Sequence, residues 1–297
     1  MTIATEGSLL PRVTGALNRS CRQAGLDATG FRLGHDAAGL VCHLVAEGVV
    51  VRLAREDAPD EAERTAVSVR VARWLADRGF PADRPLDVEQ PIVAEGFLAT
   101  FWRRQEHIGP PPDPAQLGPL LRRLHALPPV PFELPAYDPL GAVRRAAGEC
   151  PVLDREDQGW LLGRCDALAE AYGLVEFALP YGLVHGDARR ENMIRTPRGF
   201  LLRSWQWACA GPREIDLVPT LHGARFGLTE RQLANFSEAY GHDARSQAGY
   251  PVLRDIRDLQ TLTALLRRAH LDAGVRDELL HRLGSLRAGD DRLWHLP

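Results

Sequence analysis

The grouping of apolar positions changes character once along the chain. After a short helix at the start, Phe31-Arg32-Leu33 leads into Gly34-His35-Asp36-Ala37-Ala38-Gly39. An apolar run from Leu40 to Ala46 follows, then Glu47-Gly48 and the β-branched run Val49-Val50-Val51-Arg52-Leu53. Such runs bounded by Gly-containing turns predict strands. From Asp60 to Arg78 the period becomes helical, with Ala66, Val67, Val71, Trp74 and Leu75 on one side, and Gly79 closes the helix. A hairpin is predicted from Pro91–Ala94 and Phe97–Trp102, turning at Glu95-Gly96.

The stiff run Gly109-Pro110-Pro111-Pro112-Asp113-Pro114 breaks the pattern. It places a boundary between a β-rich part, residues 1–105, and a helical part, residues 106–297. In the second part Leu117, Leu120, Leu121 and Leu124 keep helical spacing. So do Leu161, Cys165, Leu168 and Tyr172, and later Ile256, Leu259, Thr263 and Leu266. Between these helices lies a β-like, turn-rich insert from Gly182 to Pro212.

Composition narrows the function classes. With 36 basic against 39 acidic residues the net charge is −3, which weakens a nucleic-acid role. No apolar stretch approaches the ~20 residues of a membrane span, and the start lacks a secretory pattern, so a cytoplasmic protein without a membrane partner is expected. Five scattered cysteines without C-x-x-C predict reduced, mostly buried thiols. All 36 basic residues are arginine, which excludes any mechanism that needs a lysine amine.

The insert contains Leu183-Val184-His185-Gly186-Asp187-Ala188-Arg189-Arg190-Glu191-Asn192-Met193-Ile194. Two apolar runs anchor a polar loop from which a carboxylate and an amide project five positions apart. Phosphoryl transfer uses that pair, the Asp to accept a hydroxyl proton and the Asn to help hold a metal on the phosphates. An isolated D-x-x-x-x-N is more often an ordinary turn whose side chains bond to backbone amides. Here His185-Gly186-Asp187 and Asn192 are followed by a hairpin and Gly211-Pro212-Arg213-Glu214-Ile215-Asp216-Leu217. In this order and spacing the chain resembles the aminoglycoside phosphotransferase and choline kinase-like family over nearly its whole length.

The resemblance implies an α+β, bilobal protein-kinase-like fold with a small β-rich N-lobe, a larger helical C-lobe, and a polar small-molecule substrate. It makes Asp187 the catalytic base, His185 a brace of the loop, Asn192 a metal ligand and Asp216 a buried structural acid. It also implies ATP and Mg2+, and here the chain departs from the family. Ser204 stands where the family presents its metal-chelating Asp, and Gln206 where it has a second acid; residues 199–212 contain no Asp or Glu. A unit-charge pair at 4 Å is worth ~4 kcal/mol at an effective dielectric of about 20, so losing carboxylates opposite a divalent ion is costly. Arg52 replaces the strand Lys that grips phosphates, and is not its isostere. Its helix partner falls at Ser68, with Glu63 five residues earlier.

Arg189 and Arg190 are candidate substrate or phosphate contacts, since Arg binds either oxyanion in a fork; solvent-facing arginines are the plainer alternative. If the segment is a strand, Trp205 and Trp207 alternate with Ser204 and Gln206. His125, His222 and His270 lack metal-ligand spacing and read as structural or surface residues. Three functions fit this pattern: a small-molecule O-kinase with a weakened metal site, another enzyme using Asp187 as general base, or a pseudokinase that binds a metabolite or a protein.

Overall fold

The computed structural model describes residues 3–36, 39–58, 60–110 and 112–295. Ala37 and Ala38 of the Gly34–Gly39 turn, and Pro111 of the proline run, lie outside these residues. The elements in order are α1 (Ile3–Gln23), β1 (Arg32–Asp36), β2 (Gly39–Leu44), β3 (Val49–Arg55), α2 (Glu61–Asp77), β4 (Ile92–Ala94) and β5 (Phe97–Arg103). The helical part follows with α3 (Leu117–His125), α4 (Gly141–Glu149) and α5 (Arg155–Gly173), then β6 (Tyr181–Val184), β7 (Met193–Thr196), β8 (Gly199–Leu202) and β9 (Cys209–Pro212). It ends with α6 (Val218–Leu221), α7 (Glu230–Tyr240), α8 (Tyr250–Gln260), α9 (Thr263–Arg268) and α10 (Ala273–Ala288).

The five-stranded antiparallel sheet has the order β1-β2-β3-β5-β4. Its two-residue side-chain period sorts β3 into two faces. Val49, Val51 and Leu53 join Val13, Ala16, Leu17 and Cys21 of α1 in one core. Val50 packs instead with Trp102, α2 and the helical part in a second core that also contains Leu117, Leu121, Leu202 and Trp205. Arg52 shares that face, and its guanidinium lies 4.6 Å from the centroid of Trp102.

Three expectations change. The opening helix spans 21 residues. Gly34 belongs to β1, where its backbone pairs with Val41. The helical spacing from Ile256 to Leu266 conceals a break: α8 stops at Gln260 and α9 starts at Thr263. The Thr261 hydroxyl donates to the Asp258 carbonyl at 2.7 Å and the Leu262 amide to the Leu259 carbonyl at 3.0 Å, which tightens the helix end into a turn. Both flanking segments still bury apolar side chains in a third core with α4, α5 and α10. Among the described residues no helix is long and apolar enough to cross a membrane.

A strap of residues 80–86 ties the sheet to the helical part. The Leu202 amide donates to the Pro81 carbonyl at 2.9 Å and the Asp83 amide to the Leu202 carbonyl at 3.2 Å. The Leu86 amide reaches the Phe101 carbonyl at 2.8 Å. Asp83 is thereby held between β5 and β8, next to Arg52.

Candidate active site

The loop after β6 is built around an unusual backbone turn. Gly186 has φ +80°, and a Cβ there would meet the Trp207 carbonyl oxygen at 2.2 Å, so only glycine fits. Asp216, wholly buried, accepts from the amide of His185 at 2.7 Å and of Gly186 at 2.8 Å. His125 Nε2 lies 3.0 Å from the same carboxylate, and its Nδ1 is 2.8 Å from the Tyr240 hydroxyl. Asp216, His125 and Tyr240, all distant in sequence, thus meet beneath one loop.

His185 bonds through both ring nitrogens. Its Nδ1 accepts from the Asp187 amide at 3.2 Å, which leaves the proton on Nε2 to bond the Arg203 carbonyl at 2.9 Å. Asn192 donates through Nδ2 to the Asp187 carbonyl at 2.8 Å and to Asp187 Oδ2 at 3.1 Å. Its Oδ1 is buried with no hydrogen-bond partner.

Asp187 is tied at both oxygens. Arg257 Nη2 donates to Oδ1 at 2.7 Å and Arg189 Nε to Oδ2 at 3.2 Å. Burial pushes the carboxyl up, but the charges of Arg257 and Arg189 outweigh it and hold Asp187 below the usual carboxylate range. Arg190 turns away to Glu191 at 3.1 Å. Arg257, on α8, was not singled out by sequence, because a lone arginine seventy residues after the loop carries no local signal of its partner.

The segment after β8 is not a strand. Ser204 adopts φ 73° and ψ 55°, and Trp205–Trp207 form a single 3-10 turn, so the expected alternation of side chains fails. Trp205 is fully buried, edge-on to Phe80 and to His185, while Trp207 is partly exposed beside Arg64. Ser204 is 0% exposed and its hydroxyl has no partner. Gln206 is half-buried.

Arg52 pairs with an acid outside α2. Arg52 Nη2 lies 3.0 Å from Asp83 Oδ2, whereas Ser68 is buried within α2 and Glu63 is exposed. Burial pushes the Asp83 carboxyl up, opposed by the charges of Arg52 and Arg203. Asp83 was missed because nothing in Phe80-Pro81-Ala82-Asp83-Arg84-Pro85 distinguishes a buried acid from a loop acid.

The phosphotransferase enzyme family model, APH, matches residues 24–256. This chain belongs to that family. Its fold is the protein-kinase-like fold, and solved structures agree. An amicoumacin kinase in complex with AMP-PNP and Ca2+ is 14% identical, with 89% of this chain and 90% of that chain covered and a TM-score of 0.69. An aminoglycoside phosphotransferase from Streptomyces rimosus is 20% identical over 84% and 98% of the two chains, TM-score 0.62. The same enzyme is also solved with ADP and streptomycin. A choline/ethanolamine kinase family protein from Mesorhizobium loti is 19% identical over 90% and 91%, TM-score 0.61. At these identities the likeness is one of fold. A search of curated proteins found no match.

Proposed function

We propose that this phosphotransferase-family protein takes a polar small molecule at the Asp187 loop, with conventional Mg-ATP phosphotransfer weak or absent. One observation supports the reading: the segment after β8, where the sequence aligns Ser204 with the family's metal acid, holds a buried serine hydroxyl without a partner, and residues 199–212 contain no carboxylate. Magnesium in phosphate sites is held by one or two carboxylates with phosphates and water. The donors here are the Asn192 amide oxygen and the Ser204 hydroxyl, both neutral. Asp187 is committed to two arginines, and Asp83 is paired with Arg52. This set does not fit a divalent cation.

Asp187 still occupies the place of a general base, oriented by Asn192 and the His185 turn. To take a proton from a substrate hydroxyl it must release one arginine, since a carboxylate holding two guanidinium donors is a weak acceptor for a third group. The double pairing favours a second reading, a pseudokinase that binds its ligand without turnover. The general-base enzyme and the binder part at Asp187→Asn: turnover is lost in the first, whereas ligand binding survives in the second.

The test is a titration of purified protein with ATP, with Mg2+ present and with chelator. One millimolar Mg-ATP should raise Tm by less than about 2 °C, because ligand at its own Kd stabilises by only ~0.4 kcal/mol. Low-micromolar binding abolished by chelator overturns the proposal. Ser204→Asp with Gln206→Asp should restore metal-dependent nucleotide binding.

A further inference from the structure

We infer that the Asp187 loop and α8 form a receptor for an oxyanion, so that the ligand bears a carboxylate or phosphate group bound by Arg257 and Arg189. The inference rests on the reading that this cleft takes a small polar molecule, and it names the chemistry of that molecule.

Arg257 is held in place with its donor capacity largely unspent. Neighbouring residues of α8 are fixed: Asp258 pairs with His222 at 2.7 Å and with Arg225 at 3.3 Å, and Gln260 donates to the Tyr137 hydroxyl at 2.8 Å and the Pro139 carbonyl at 2.9 Å. The Arg257 side chain is 14% exposed. Of its five N–H bonds, Nη2 serves Asp187 and Nη1 reaches Gln260 only at 3.5 Å, while Nε is buried without a partner. A buried guanidinium with an unused edge costs stability unless an acceptor arrives.

The charges point the same way. Arg257 and Arg189 share a single carboxylate, Asp187. The nearby acids are committed elsewhere, Glu191 to Arg190 and Asp258 to His222 and Arg225. Arg203, whose amide and carbonyl bond Asn192 and His185, has a buried Nε without a partner, and no acid is in ion-pair contact with it among the described residues. Asp216 adds a second buried negative charge beneath the loop, spent on the His185 and Gly186 amides. The two guanidinium groups therefore face Asp187 alone as an ion-pair partner where dielectric screening is poor, which favours an anion at their unused edges over a polyamine.

The space limits what enters. A pocket with Arg257, Gln260 and Gly186 on its wall and a largely apolar remainder that includes Ile215, Val218 and Leu253 spans about 250 Å³ counted with its solvent-open mouth, yet is narrow enough to admit about one water; Asp187 and Arg189 lie outside its lining. One oxyanion arm at that mouth replaces water and meets the free edge of Arg257, while the body of the ligand stays outside. Asp187 keeps Arg189 and Asn192 when the Arg257 donor shifts to the ligand, so anion binding frees Oδ1 of Asp187.

The experiment uses the full chain without metal or nucleotide, at constant ionic strength set with chloride. Sodium phosphate, sodium malonate and streptomycin, a polycation, are titrated separately and followed by thermal unfolding and calorimetry. Phosphate or malonate should stabilise saturably; the tighter of the two identifies the arm as phosphate or carboxylate. Arg257→Gln should weaken that binding about tenfold or more, and Arg257→Lys by less. No saturable response to either anion, an unchanged affinity in Arg257→Gln, or stronger stabilisation by streptomycin overturns the inference. If Arg257→Gln does not fold, Arg257→Lys and Arg189→Gln decide it, and wild-type affinity in both is the overturning result. Because no Mg-ATP is present, this outcome is separate from that of the nucleotide titration.

Discussion

Asp187 shows how a recognisable residue acquires an unexpected environment. The His185-Gly186-Asp187 to Asn192 spacing made the loop legible, since all four residues are close in sequence and their geometry follows from one tight turn. The clamp by Arg257 was illegible, because it depends on how α8 packs against the loop. Asp187→Asn should cost roughly 3 kcal/mol at neutral pH, as two guanidinium groups lose their counter-charge in a largely buried site. With its folded pKa depressed, the stabilisation by Asp187 is fully present above about pH 4, the unfolded carboxylate value, and is lost as pH falls through the folded value. Urea unfolding of both proteins at pH 7 and in acid checks this: the gap should be wide at pH 7 and narrow in acid. Equal stability at pH 7 would mean that the pairing contributes nothing.

Elements were read from period, and period reports which face is buried without reporting where an element ends. Leu117 to Leu124 and Leu161 to Leu168 sit in helices as their spacing requires. The run through Ile256 and Leu266 sits in two, because the break at Thr261-Leu262 preserves the apolar register. At that junction Asp258 joins α8 to the buried His222. Burial pulls the His222 pKa down, and Asp258 only partly offsets it, so the folded state holds the ring neutral while the unfolded chain binds a proton near pH 6.5. Stability is therefore complete above that value and declines as pH falls below it. Thermal unfolding from pH 7.5 to 5.5 should show the decline, and His222→Gln should flatten it; an unchanged slope would place the acid sensitivity in another group.

At the scale of the whole molecule, the core containing Phe80, Trp102, Leu117 and Trp205 runs from the sheet into the helical part without interruption. All five cysteines are free and buried in the packed interior. Burial pushes the Cys21 and Cys165 thiols up to about 11 and those of Cys42 and Cys209 up to about 12. The native protein should therefore leave a thiol reagent unreacted at pH 8 and release five equivalents only on denaturation, read by absorbance. Rapid labelling of any thiol without unfolding would contradict the packing described. What the chain's letters determined by themselves was the fold class, the spacing of His185, Gly186, Asp187 and Asn192 on one turn, and the absence of acids from residues 199–212, because each rests on residues close in sequence. Only the tertiary structure decided that Arg52 pairs with Asp83 and that Asp187 is shared by Arg189 and Arg257. Ion pairing selects partners by distance in space, and the strap at residues 80–86 and the seat of α8 set those distances through packing that no local pattern encodes.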